Sequence, residues 1–326
     1  MLFFQTTLDS VQMGLCFAVL ALGVYISYSI LDFPDLSVDG TFPLGGVVST
    51  ALMLRFGFHP ALALLSAFAA SALAGAVTGF LHVKCKISKL LSGIIVMTGL
   101  LSVTLALTRL LTDNGNTTTI FSYRSRGLVG IFNQSFIASA DSSLRDYIRI
   151  AILLAVVIVI KIIIDLFMKT RLGYMLRATG DNESTVIAGG RDAGIYKIIG
   201  LALANGLAGT SGALYSQLYM QYDNNSGSGK VVLALASVII GTAVFSGIPK
   251  VKNTTAVIMG AVVYSLCLNY LSLADTSGIY LKLLNAVLFA IILIFNDKIS
   301  RFFSGRRSKT PKKAMQKEAG GNAQTD

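Results

Sequence analysis

The stretch LDFPDLSVDGTFPLGG, residues 31–46, joins two apolar runs at 11–30 and 44–56. It carries Asp32, Asp35 and Asp39, two prolines and two closing glycines. Pro34 and Pro43 lack an amide proton and crowd the preceding helical turn, so no continuous helix is expected across them. Lipid does not tolerate bare loop, because an unpaired peptide group is costly there. Either the stretch is an interfacial loop with helix-capping aspartates, or it lies at membrane depth behind protein walls or along water. Broken helices of the second kind mark the substrate sites of many transporters.

The membrane reading comes from the chain around it. Of 326 residues, 54% are hydrophobic and 13% charged, and the mean hydropathy is +0.69. Soluble domains carry about 25% charge. Apolar runs near 20 residues recur along the length, which predicts an all-α polytopic membrane protein and not a β-barrel. Nine spans are expected, at 11–30, 44–56, 61–81, 90–111, 148–167, 195–217, 231–245, 255–271 and 279–295. The second and seventh are short, as discontinuous or tilted helices would be. Residues 1–298 form the membrane domain. The basic tail at 299–326 has no apolar period and is expected to be disordered. Cys16, Cys85 and Cys267 are isolated and read as buried and inert, with no metal spacing or disulfide framework.

The net charge of +11 has a topological meaning. The linkers 82–89, 169–197, 248–253 and 298–326 hold 18 of the 27 Lys and Arg residues. Cytoplasmic loops carry that excess, so this set and the C-terminus are assigned to the cytoplasm. The chain also repeats. Residues 15–46 read as a Gly/Ala-rich span, a polar break and a short span. Residues 200–241 do the same around YDNNSGSGK. One span between two four-span copies turns them upside down relative to each other, the inverted-repeat plan. Ala63, Ala67, Ser71, Gly75 and Gly79 form an i+4 ridge of small residues, and so do Gly200, Ala204, Ala208, Gly212 and Ser216. Such ridges let helix backbones approach closely.

Catalytic chemistry is missing. Gly227-Ser228-Gly229-Lys230 imitates the end of a phosphate-binding loop, but Asn224 stands at the first glycine and Val231 at the Mg-binding hydroxyl. His59 and His82 are the only histidines and stand apart. Asp165 is the one clear acid within a span, and Lys161, a turn away, can pair with it. The linker 169–197 reads KTRLGYMLRATGDNESTVIAGGRDAGIYK. Asp181 or Asn182 can cap a short helix over 183–188, which Gly189 and Gly190 end. An amphipathic helix of that kind suits docking into a groove on a soluble partner.

LDFPDLSVDGTFPLGG, ISKLLSGIIVMTGLLSV (87–103) and TRLGYMLRATGDN (170–182) together resemble the permease subunits of bacterial ABC importers. The class is the branched-chain amino acid/ribose-like one, in its tryptophan/tyrosine-type or uncharacterised branch. The similarity covers roughly residues 10–297. One departure is 105–109, where the family leads one to expect a more polar ending with Arg then Gly. The resemblance implies a two-permease core, here a homodimer, in the bacterial plasma membrane. It further implies cytosolic ATP-binding cassette subunits, where hydrolysis occurs, and an extracytoplasmic substrate-binding protein. The permease itself is then no enzyme and needs no cofactor and no metal. Its solute is an amino acid, aromatic or branched-chain. The coupling loop would be Asp181, Asn182, Glu183, Ser184, Thr185, Val186, Ile187, Ala188 and Gly189, with Val186 and Ile187 as anchors. The pathway candidates are Asp35, Ser37 and Asp39 in the first break and Asp223, Asn225 and Ser226 in the second. Ser92, Thr98 and Asn205 are further candidates. Membrane lipid is a partner and nucleic acid is not. The alternative is a self-contained channel or ion-coupled carrier, which requires an unpaired acid at membrane depth.

Overall fold

In the computed structural model, which describes residues 2–111, 119–120, 132, 142–245, 251–273, 283 and 285–294, the first helix passes directly into the break. Helix α1 (Leu2–Val24) ends in a π-helical turn, Tyr25–Ile30. There Leu31 N–H reaches back to the Ile26 carbonyl at 3.0 Å, and Asp32 turns left-handed at φ 49°. Pro34 follows, and helix α2 (Val38–Phe56) starts after a seven-residue gap.

Helix α2 corrects the expected start at residue 44. It runs through Pro43, its sixth residue. Proline there removes the bond to the Asp39 carbonyl, and Gly227 packs against that carbonyl and the Pro43 ring. The missing bond falls in the second turn of the helix, and the rest of the ladder continues past it.

Helices α3 (Pro60–Val83), α4 (Lys89–Leu111) and α5 (Ser142–Phe167) follow. Next come α6 (Arg171–Asp181), the short α7 (Glu183–Ala188) and the long α8 (Ala193–Tyr219). The chain then makes strand β2 (Tyr222–Asp223) and a 3-10 turn, Asn224–Gly227. Strand β2 pairs antiparallel with β1 (Thr119–Ile120). Helices α9 (Lys230–Phe245), α10 (Asn253–Ser272) and α11 (Asn285–Ile294) complete the described chain.

Among the described residues, seven helices are long and apolar enough to cross a membrane. Helix α2 has the length, at 19 residues, without the apolar composition. The ninth expected span is described at Leu283 and over α11. The domain boundary at 298 and the tail beyond it lie outside the described residues.

Helices α1 and α8 form the buried centre, antiparallel, with Gly23 against Ala204 and the Ser211 hydroxyl donating to the Cys16 carbonyl at 2.7 Å. Around this pair the packing is reciprocal. The third helix of the first half, α3, lies along α8, with Gly75 against Leu201 and Gly79 against Ile198. The third helix of the second half, α10, lies along α1, with Gly14 against Val262. Two halves that exchange the same contacts are what an internal two-fold produces.

The two small-residue ridges do not meet each other. The α3 ridge faces α8 through Leu201, Asn205 and Gly209, whereas the α8 ridge faces the first break, α1 and α2 through Gly200, Ala204 and Gly212. Helices α2 and α8 run side by side in the same direction, so close that a Cβ on Gly45 would overlap the Gly209 carbonyl. Outward faces are apolar, as in α5, where Val159, Ile163 and Leu166 are exposed. Cys85 and Cys267 are exposed as well, against expectation, and Cys16 is buried.

Candidate functional site

The first break is closed by a buried polar cluster. Asn205 sits midway along α8, where every intrahelical backbone bond is already made, so its amide is free to reach outward. It donates to Asp35 Oδ2 at 2.6 Å and to the Leu201 carbonyl at 3.0 Å. It accepts from Thr41 Oγ1 at 2.8 Å and Ser37 Oγ at 3.1 Å. All four hydrogen-bonding positions of the amide are filled. Asp35 Oδ1 accepts the Ser37 N–H at 2.8 Å, so the same carboxylate shapes the entry to α2. Ser71 on α3 donates to the Thr41 carbonyl at 3.3 Å. Asp35 is 5% exposed, and Ser37, Thr41, Ser71 and Asn205 are fully buried. Gly93 on α4 packs against Leu36 and Asp35, so α2, α3, α4 and α8 all wall this stretch. Of the two readings of residues 31–46, this is the protein-walled one. One end stays open: the Lys89 ammonium donates to the Asp32 carbonyl at 2.6 Å near exposed side chains.

The second break comes back to meet the first. Beyond Tyr219 the chain reverses, and Tyr222 packs on Gly46 and Gly227 on Pro43. Asp39, in the first turn of α2, then accepts the Gly229 N–H at 3.1 Å and the Val231 N–H at 2.8 Å. It thereby caps α9 with an anion, at the end where helix amides point outward unpaired. One aspartate joins the starts of two helices from opposite halves of the chain. Lys230, between those two amides, directs its ammonium over Phe17 at 4.2 Å from the ring centroid, with Phe42 at 5.4 Å and Tyr215 at 5.5 Å.

The sequence candidates therefore separate. Asp35, Ser37 and Asn205 come together, and Asp39 lies one helical turn on. Asp223, Asn225 and Ser226 stay apart from them. Asp223 accepts the Asn225 N–H at 3.0 Å and holds the 3-10 turn, with Asn225 exposed and Ser226 half-buried. The Ser92 hydroxyl bonds back to the Lys89 carbonyl at 2.8 Å. Thr98 does not join the site. It faces outward and bonds its own helix, because the buried stripe of α4 runs Ser92, Val96, Thr104, Thr108 and passes it by.

At the end of the bundle that holds Asp32 and His82, the expected short helix is present as α7. Asn182, not Asp181, caps it, accepting from Ser184 N–H at 3.1 Å. Asp181 is the last residue of α6. Lys197 ties α7 to α8 through Glu183 at 2.7 Å. The expected pair of anchors is split: Val186 is 5% exposed and turned into the protein, while Ile187 is 58% exposed. Asp165 meets Lys161 at 3.1 Å as expected, and also Lys252 at 2.9 Å and Thr254 at 2.8 Å, which pins α5 to the start of α10. It is a paired acid, not the lone one that an ion-coupled carrier needs.

The family profile described as branched-chain amino acid transport system / permease component matches residues 6–296. The chain belongs to that family. It is similar to a tyrosine transport system permease protein of Clostridioides difficile, 38% identical over 280 residues, which cover 86% of this chain and 88% of the relative. An uncharacterised protein of Rickettsia prowazekii is 30% identical over 88% of this chain and 96% of its own. The ribose import permease protein of Escherichia coli K12 is 24% identical over 90% and 84%. No solved structure matches the chain.

Three features of this permease escaped the sequence. Thr41 in the first stretch and Ser71 in an apolar run are small hydroxyls, and most such groups only bond back to their own helix. In the sequence Lys230 ends the polar break YDNNSGSGK and belongs to a false phosphate motif. The available signal was its place one residue before a short apolar span, preceded by small residues that let the chain re-enter.

Proposed function

We propose that this permease is the membrane subunit of an ATP-driven importer and works as a homodimer that passes an amino acid inward. The similarity to the tyrosine permease over most of both chains carries the substrate class. The family carries the transport role. The absence of a nucleotide motif from the sequence fits hydrolysis on separate cytosolic subunits, with solute delivered by a binding protein from the opposite side. The α6–α7 end is the cytoplasmic face, as the excess of Lys and Arg in its linkers requires. There Ile187 stands out from α7 as the contact for an ATPase subunit.

In the transport cycle the protein offers a path and two packings of similar energy. The path runs by the two breaks, where α2 and α9 begin at one level with Asp39 between them. Asp35, Ser37, Asp39, Ser92 and Asn205 line or brace it from the first half and α8. Asp223, Asn225 and Ser226 stand at its other mouth.

The test is uptake. Proteoliposomes containing the permease, its ATPase subunits and loaded binding protein should accumulate labelled tyrosine only with ATP on the α7 side. Accumulation without ATP, driven by an ion gradient, would replace this reading with a secondary carrier.

A further inference from the structure

Lys230 is used by nothing described so far. Its ammonium makes no hydrogen bond to a described residue and has no described carboxylate within 4.0 Å. The acid that acts on it is Asp39, and both oxygens of Asp39 are taken by the Gly229 and Val231 amides. The ammonium and the positive start of α9 thus face one carboxylate that is already engaged. A cation held away from water is stable when it meets an anion or the face of aromatic rings. Here the rings are supplied, and among the described residues the one acid acting on the ammonium is already engaged by two amides.

Those rings are not sealed off. Phe17 and Phe42 are buried, but Tyr215 is half-buried and Tyr219 is 39% exposed at the end of α8. Tyr215 stacks on Phe17 at 5.9 Å, and Tyr219 lies 4.6 Å from Tyr215. A line of aromatic faces leads from the end of α8 to the ammonium, between α1, α2 and α9.

We infer that Lys230 and this line of rings form a binding site on the path for an aromatic amino acid, the ligand's carboxylate pairing with the Lys230 ammonium and its ring packing on Tyr215 and Tyr219. The inference rests on the proposed function and adds the position and the chemistry of recognition. A carboxylate completes the charge at the α9 start, and a flat apolar side chain matches the walls. Aliphatic amino acids would satisfy the ammonium and leave the ring faces poorly covered. Aromatic amines would cover the rings and repel the ammonium.

Two measurements on the complete transporter test it. In the wild-type complex, acylation of the Lys230 amine, read by mass spectrometry, should slow at least about fivefold with millimolar tyrosine. It should be unchanged by tyramine or alanine. In proteoliposomes, Lys230→Met should lower tyrosine uptake by at least about tenfold, the loss expected for one charge-assisted contact. Lys230→Arg should stay within about threefold of wild type, with ATPase subunits retained in both. Equal acylation with and without tyrosine overturns the site, even if Lys230→Met proves poorly assembled. So does wild-type uptake by Lys230→Met. A wild-type complex that takes up no amino acid overturns the functional reading and this site together. Uptake of tyrosine with an unprotected Lys230 overturns only the site.

Discussion

Replacing Asn205 with Leu asks what the polar cluster is worth. The side chain keeps its size, so the interhelical space stays filled and no water enters. Four hydrogen bonds go, but the losses are unequal. Thr41 Oγ1 can turn fully to the Val38 carbonyl, already 3.3 Å away. The Ser37 hydroxyl can swing onto the Asp35 carboxylate. The Leu201 carbonyl keeps its own helical bond. What remains is Asp35, a buried charge short of its strongest donor. An unsatisfied buried group costs about 1–3 kcal/mol, more when charged. Interhelical hydrogen bonds in membrane bundles average about 0.6 kcal/mol, and three of the four leave α8, so that route gives about 1.8 kcal/mol. The two routes agree on about 2 kcal/mol. At about 2.1 cal/mol/K per residue, a chain of 326 residues loses about 1.5 °C of Tm per kcal/mol, so the expected drop is about 3 °C, read by thermal aggregation of the detergent-solubilised permease. Asn205→Ala leaves room for a water and should fall less. Adding Asp35→Leu to Asn205→Leu should restore part of the loss, because it removes the stranded charge. A Tm within 1 °C of wild type for Asn205→Leu, or additive losses in the double variant, would show that the cluster is not a closed unit.

Gly45→Ala should abolish assembly, since its Cβ meets the Gly209 backbone, whereas Gly99→Ala, with open space at its Cβ, should be silent or slightly stabilising; size-exclusion profiles of both decide it. Asp39→Asn should leave the fold assembled but impair uptake at least severalfold, because an amide oxygen replaces the charge that caps α9 and one of its two backbone bonds is lost. Ile187→Asp should keep the Tm and lose ATPase subunits on purification, while Val186→Asp should lower the Tm by several degrees, because that side chain faces inward. Equal behaviour of the two α7 variants would remove the helix from the subunit contact.

Much of the architecture is written in local chemistry, and the rest is decided between elements. Helix α7 was legible to the residue because its signals are local: Asn182 caps it and Gly189 ends it. The split of Val186 from Ile187 was not, because six residues give no period from which to tell the buried side. Pro43 misled because the rule against helical proline assumes an otherwise intact bond ladder. Here the freed Asp39 carbonyl lies under Gly227, 188 positions along the chain, and no local pattern records that. Thr98 and Thr104 look alike in sequence, and only the stripe of α4 that meets α2 distinguishes them. The three cysteines show the same limit, since apolar context in a membrane chain predicts lipid contact as readily as burial.

The two breaks also show how an internal two-fold makes unlike sites from like parts. In each half a long central helix faces the other half's break. Helix α8 presents Asn205 to the first, and α1 presents Phe17 to the second. The amide takes up Asp35, Ser37 and Thr41, leaving Asp35 with both oxygens engaged, so that break is a joint. The ring offers Lys230 a face but no charge, so the second break holds a cation between packed aromatics with no described carboxylate within 4.0 Å of it. Reciprocal packing brings each central helix to the other half's break, and the difference in side-chain chemistry there separates the joint from the site. It follows that Asn205 variants should act through stability and Lys230 variants through the solute. The ratio of Tm loss to uptake loss then tells the two roles apart. Asp39 belongs to both breaks and should show both losses together.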